Sequence, residues 1–133
     1  AGALCLHFWL PLAHPAAPVP ASAVLSGAMI KAGLLGWLRF LPLGDAALPE
    51  VGLTLVAMGL GAAFLGAAAG VTQKNPKTVL AYSSISQMGI ITVGVGAGLA
   101  QPDLWGGILA AVLVYAVHHG LAKGALFLGV TLA

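Results

Sequence analysis

Polar residues fall in short clusters along this chain, and four long apolar runs lie between them. The runs cover about residues 21–41, 51–72, 78–99 and 104–132. At a rise of about 1.5 Å per residue, each is long enough to cross a hydrocarbon layer of roughly 30 Å. They are continuous rather than alternating, which predicts helices and not the strands of a barrel. The expected fold class is therefore all-α, a polytopic transmembrane bundle of four spans, with residues 1–10 (AGALCLHFWL) as the end of a preceding membrane helix. Pro11, Pro15, Pro18 and Pro20 argue against a continuous helix over 11–20. That stretch is expected to be a connection at the membrane surface or a re-entrant bend, where His7, Trp9 and His14 suit the interface. Pro20 and Ser22 open the first span, and Pro42 with Gly44 closes it. Gly66 with Gly70, and Gly94 with Gly98, have the spacing that lets membrane helices approach closely. The fourth span is long enough to cross with tilt.

Composition agrees with this pattern. Of the 133 residues 60% are hydrophobic and 6% charged, against about a quarter charged in a soluble domain, so a water-soluble surface cannot be built. The net charge of +2 is spread thinly, which excludes a nucleic-acid footprint. Cys5 is the single cysteine, so no internal disulfide is available. The start fits no secretory signal. Residue 1 is not Met and the last span reaches Ala133 without a polar tail, so the chain reads as an internal piece of a longer protein. Lys74 and Lys77 outweigh Arg39 on the opposite side, and the positive-inside rule places the 73–77 loop in the cytoplasm.

The charges inside the spans carry the chemistry. A lysine at the bilayer centre costs about 2.5–3.5 kcal/mol on insertion scales. Lys31 lies about ten residues, roughly 15 Å, from either end of its span, too deep to snorkel easily. Desolvation favours the neutral form of an amine, and an amine that releases its proton at ordinary pH can relay it. The alternative is a lysine held in a fixed hydrogen-bond network. Tyr115, His119 and Lys123 follow one another at intervals of four and share a helix face, as a relay of hydroxyl, imidazole and amine would require. Those groups could instead satisfy one another or a partner subunit. His118 is turned about 100° away, to pack or to touch a neighbour. Ser83, Ser86 and Gln87 form a polar patch near the start of the third span, although serines also bond back to their own helix. No Asp or Glu lies deep in any span, so a carboxylate partner must come from elsewhere. HExxH, CxxC and phosphate-loop patterns are missing, adjacent His118 and His119 cannot both ligate one haem, and no cofactor is expected.

Four ordered stretches carry a family resemblance. The run from His7 to Pro18 (HFWLPLAHPAAP) resembles the HxWLPxAHxxAP segment of antiporter-like proton-channel subunits. These subunits occur in respiratory complex I, in multisubunit Na+/H+ antiporters and in group 4 hydrogenases. Residues 22–40 (SAVLSGAMIKAGLLGWLRF) resemble their lysine-bearing helix, residues 73–89 (QKNPKTVLAYSSISQMG) their QxD[IL]KRx[IL]AYS[ST]xSx[ILM]G segment, and residues 118–128 (HHGLAKGALFL) their HAxxKAxLFL helix. Asn75–Pro76 stands where the family has an acidic–apolar pair, and Thr78 where it has arginine; both lie at the surface.

The resemblance implies a fold of two inverted repeats, each with a broken helix, and this chain would be one part of a single proton-translocating domain at their junction. Lys31 matches the central lysine, His119 a relay histidine, Lys123 a lysine one turn on, and Gln87 a position that is histidine or glutamine in relatives. With Tyr115 and Ser86 these make up the expected proton-transfer set. The family's glutamate on an earlier helix has no counterpart here. The implied partners are other membrane subunits, the lipid bilayer and protons, in a bacterial or archaeal inner membrane. Any redox chemistry would belong to those other subunits. Na+/H+ exchange and a purely scaffolding role are the alternatives.

Overall fold

The computed structural model describes residues 7–130, and among them it is helical with no strand. The order is α1 (Trp9–Ala16), α2 (Val19–Gly27), a 3-10 turn (Met29–Lys31), α3 (Ala32–Phe40), α4 (Pro49–Val71), α5 (Pro76–Ala100), a 3-10 turn (Pro102–Leu104) and α6 (Trp105–Gly129). Four stretches, Val19–Phe40, Pro49–Val71, Pro76–Ala100 and Pro102–Gly129, are long and apolar enough to cross a membrane. Their outward faces carry exposed Leu53, Leu60 and Phe64 on α4 and Leu113, Val117 and Leu121 on α6. Such faces are stable against lipid or further helices and not against water. The protein is an integral, multi-pass membrane protein. The expected end of a preceding helix falls mostly on residues 1–6, outside the described residues.

Two local expectations are corrected. The stretch 11–20 is, as expected, not one continuous helix, but it is mostly helical rather than a plain connection, because Pro11 and Pro15 both lie inside α1 and Pro20 inside α2. Pro11 is the third residue of that helix, where an amide has no intrahelical acceptor in any case. Pro15 is the last residue but one, so little helix remains to be broken. The bend itself comprises Ala17, extended at φ −80°, ψ 146° as the residue before a proline prefers to be, and Pro18, extended at φ −56°, ψ 151°. Pro20 is then the second residue of α2, again where no amide is needed.

The first span is likewise not continuous. At Ala28 the backbone turns to φ −122°, ψ −52°, and one 3-10 turn follows that ends on Lys31. One residue earlier α2 crosses α6 at its closest: a Cβ built on Gly120 would stand 2.8 Å from the Gly27 carbonyl oxygen.

α5 is the central helix, packed on α1, α4 and α6. Its Ile85, Met88, Ile91 and Val95 form the core with Leu10, Ile30, Leu34, Ala62, Val112 and Ala116. α4 and α5 meet through glycine along their length. A Cβ on Gly52 would lie 2.5 Å from Gly96 O, one on Gly59 2.7 Å from Gly89 O, and one on Gly66 2.8 Å from Ser86 N. Gly66 and Gly70 pack on α5 as their spacing predicts; Gly94 and Gly98 face α6, against Val112 and Trp105. At the far end the Leu48 amide donates to Leu99 O at 2.9 Å, and Gly44 takes φ +88° to close the loop beneath Trp105.

Candidate functional site

Lys31 ends the 3-10 turn between α2 and α3, and its Nζ donates to Ser26 O at 2.6 Å. It is half-buried on the wall of a groove of about 590 Å³ between α2–α3 and α6. The remaining lining is aliphatic or glycine, its largest members being leucines such as Leu34, Leu38 and Leu113, so among the described residues Lys31 brings the only polar side chain.

On α6, the residues at intervals of four do share an inward face. Lys123 is 3% exposed, and its Nζ donates to Leu80 O of α5 at 2.9 Å. His119 is 4% exposed, and neither ring nitrogen has a hydrogen-bond partner. Both lysines lie within electrostatic reach of this imidazole. Tyr115, one turn further on, donates its hydroxyl to Gln87 Oε1. His118 is exposed on the outer face of α6.

The structure thus brings Lys31, His119 and Lys123 together and sets the Tyr115–Gln87 pair beside them. Ser86 stands apart. Its hydroxyl donates to Ala63 O of α4 at 2.8 Å, and it lines a separate shallow groove with Ser83 and Gly66.

Two participants were not singled out from the sequence, and two more, His14 and Lys77, were given other roles there. Ser26 and Ser84, both fully buried, share a hydrogen bond at 2.7 Å between α2 and α5 in which either hydroxyl can donate. Serine in an apolar helix is ordinary, so only the register of two distant helices reveals the pair. His14, expected at the interface, is fully buried, with its ring stacked on Phe127 at 4.5 Å. Its carbonyl accepts from the Ser22 hydroxyl at 3.2 Å. Lys77, read as a surface charge, is half-buried and donates to Ala17 O at 2.8 Å. It caps the C-terminus of α1, where a cation is favoured. That bond also shows that the α1–α2 bend and the 73–77 loop lie at the same end of the bundle.

Among the described residues no group of three His, Cys, Asp or Glu side chains is placed to hold a metal. The arrangement is two amines and an imidazole on two spans, with His119 and Lys123 buried, Lys31 half-buried and no carboxylate beside them among the described residues. It has the means to take up, hold and pass on protons.

Comparison with known proteins bears on this arrangement. The model of a family described as "NADH:quinone oxidoreductase/Mrp antiporter, TM" matches residues 1–133. Hydrogenase-4 component B of Escherichia coli is 39% identical over 97% of this chain and 20% of its own length. A putative antiporter subunit, mnhA2, of Staphylococcus saprophyticus is 44% identical over 93% of the chain and 16% of its own length. NADH-quinone oxidoreductase subunit M of Pseudomonas aeruginosa is 37% identical over 92% and 23%. The chain therefore spans about a fifth of the length of the curated relatives it matches. No solved structure matches significantly.

Proposed function

The chain belongs to the NADH:quinone oxidoreductase/Mrp antiporter transmembrane family, and on that premise we propose that it is a section of a proton-translocating domain in which Lys31, His119 and Lys123 pass protons within the bundle. One observation carries the reading. Two lysine amines on different spans, that of Lys31 half-buried and that of Lys123 buried, lie near a buried imidazole that has no hydrogen-bond partner. The acidic residues, Asp45, Glu50 and Asp103, all lie in the loops or at helix ends. Keeping such groups in hydrocarbon is costly, and ionisable residues there normally mark an ion path. A scaffold would be served as well by neutral side chains. Tyr115 and Gln87 extend the path by one turn of α6, while Ser86 serves the α4–α5 contact. The working protein sits with other subunits in a cell membrane, and any redox step takes place in those subunits.

The test uses the full-length protein in its complex, with proton movement followed by dye quenching in sealed vesicles. Combined Lys31→Ala, His119→Ala and Lys123→Ala substitution is expected to reduce movement to background while the complex still assembles. Full movement in that variant would leave only the scaffolding role.

A second reading, Na+/H+ exchange, is favoured by the antiporter relative, which has the highest identity of the three. Sodium requires hard oxygen ligands, and Na+-dependent transport that survives the triple substitution would support it.

Orientation has its own check. After Lys74→Cys substitution, a membrane-impermeant thiol reagent is expected to label the protein from the cytoplasmic side alone. Labelling from the opposite side would invert the topology.

A further inference from the structure

We propose that the Ser26–Ser84 hydroxyl pair couples Lys31 to Lys123, so that the direction of its hydrogen bond sets which of the two amines holds a proton. The inference rests on the proton-handling reading above and extends it to two residues outside the expected set.

The bonds run in two parts that meet at Ser26, whose backbone carbonyl holds Lys31 and whose hydroxyl holds Ser84. Lys31 Nζ donates to Ser26 O at 2.6 Å; the Ser26 and Ser84 hydroxyls meet at 2.7 Å; Ser84 Oγ donates to Leu80 O at 3.0 Å; Lys123 Nζ donates to the same Leu80 O at 2.9 Å. Both serines are fully buried, so no bulk water competes for their hydroxyls. Each hydroxyl has one proton to give, and the pair consequently has two arrangements. When Ser84 donates to Leu80 O, Ser26 must donate to Ser84, and the dipole of the Ser26 hydroxyl has its negative end on α2, the helix whose Ser26 carbonyl holds Lys31. When Ser84 turns to donate to Ser26, Leu80 O keeps Lys123 as its one side-chain donor, and the Ser26 hydroxyl proton turns toward its own helix. The first arrangement favours a charged Lys31, and the second a charged Lys123. No covalent bond to carbon changes and no electron moves. The pair carries no proton between the amines: each amine gains or loses its proton along the proposed path, and the hydroxyl direction sets which of the two holds it.

The other titratable groups facing this region are His119 on α6 and His14 on α1, both buried without hydrogen-bond partners on their rings. Lys77 on α5 is engaged at Ala17. Neither histidine is hydrogen-bonded to a serine of the pair, so the switch rests on the two hydroxyls and the Leu80 carbonyl.

A pair that merely held α2 to α5 would be replaceable by any packing of equal shape, and its loss would show in assembly. The test measures proton flux per assembled complex, with its pH profile, for Ser26→Ala, Ser84→Ala, the double variant and Lys31→Ala, each in the full-length protein. The expected result is a loss of about tenfold in the double serine variant, within the usual range for coupling between two sites. Its pH profile should change, and the serine changes should cause no further loss when they are added to Lys31→Ala. Ser84→Thr, which keeps a hydroxyl, is expected to restore most of the flux and the original profile. Loss of assembled complex with unchanged flux and profile in the complex that remains would overturn the coupling and leave a structural bond. Normal flux in the double serine variant with none in Lys31→Ala would overturn the coupling alone. Normal flux in both would overturn the parent reading as well. Should the alanine variants not assemble, Ser26→Thr and Ser84→Thr decide: a normal profile in both supports the pair, and a profile that shifts although the hydroxyl is kept refutes it.

Discussion

Gly89→Ala is expected to destabilise the bundle by about 1–3 kcal/mol, the usual cost of forcing extra volume into a packed interior, while Gly124→Ala leaves it intact. Both glycines lie inside long helices, where alanine is intrinsically the better residue by about 1 kcal/mol. What separates them is the space around the missing Cβ. At Gly124 nothing lies within 4 Å. At Gly89 a Cβ would stand 2.6 Å from Gly59 O and 2.7 Å from Ala63 N, both backbone atoms of α4. A side chain could rotate away from such a clash, but a helix backbone cannot. α4 and α5 would have to separate, and their contact depends on that closeness, because in lipid helices associate through packing and not through a hydrophobic force. The same holds at Gly59, whose Cβ would meet Gly89 O at 2.7 Å. Gly59→Ala with Gly89→Ala should therefore be worse than either alone. Resistance of the purified complex to denaturing detergent measures the effect. Equal resistance in the Gly89 and Gly124 variants would mean that the two helices do not meet at this distance.

That interface shows where the sequence was readable and where it was not. The four spans followed from hydropathy alone, because a run of apolar residues long enough to cross lipid has few other stable fates. The inward face of α6 followed from a period of four, which is local helix geometry. Gly66 and Gly70 were legible as a pair four apart, yet Gly52, Gly59, Gly89 and Gly96 were not, since they recur every seven residues and acquire meaning only when two helices run side by side. The same limit hid Ser26 and Ser84, whose significance lies in a register between segments 58 residues apart. Proline misled in the other direction. Four prolines in ten residues rightly excluded one continuous helix but suggested a mere connection or bend, whereas Pro11 and Pro20 occupy first-turn positions where the ring costs nothing. The interruption at Ala28 had no sequence signal beyond the neighbouring Gly27. It arises where α2 and α6 touch, and that contact is tertiary.

The break at Ala28 also frames the variant that separates a proton carrier from a fixed hydrogen-bond donor. Lys31→Arg is expected to reduce proton flux by about two orders of magnitude, the lower end of what positioned acid–base groups contribute, with assembly preserved. Arginine keeps a positive charge and several donors, so Ser26 O need not lose its partner. The groove of about 590 Å³ beside the 3-10 turn has room for the larger head group. What arginine lacks is the neutral state, since a guanidinium is not deprotonated in proteins. Were Lys31 present only to satisfy Ser26 O or to place a fixed charge near His119, the substitution would be nearly silent. Were it required to release its proton at each passage, the substitution would be almost as damaging as Lys31→Ala. The two roles thus part on one side chain, without the ambiguity of a deletion that removes charge, donor and volume together. Flux per assembled complex, measured over a range of pH, distinguishes them: arginine activity close to that of lysine would show that no proton leaves this site.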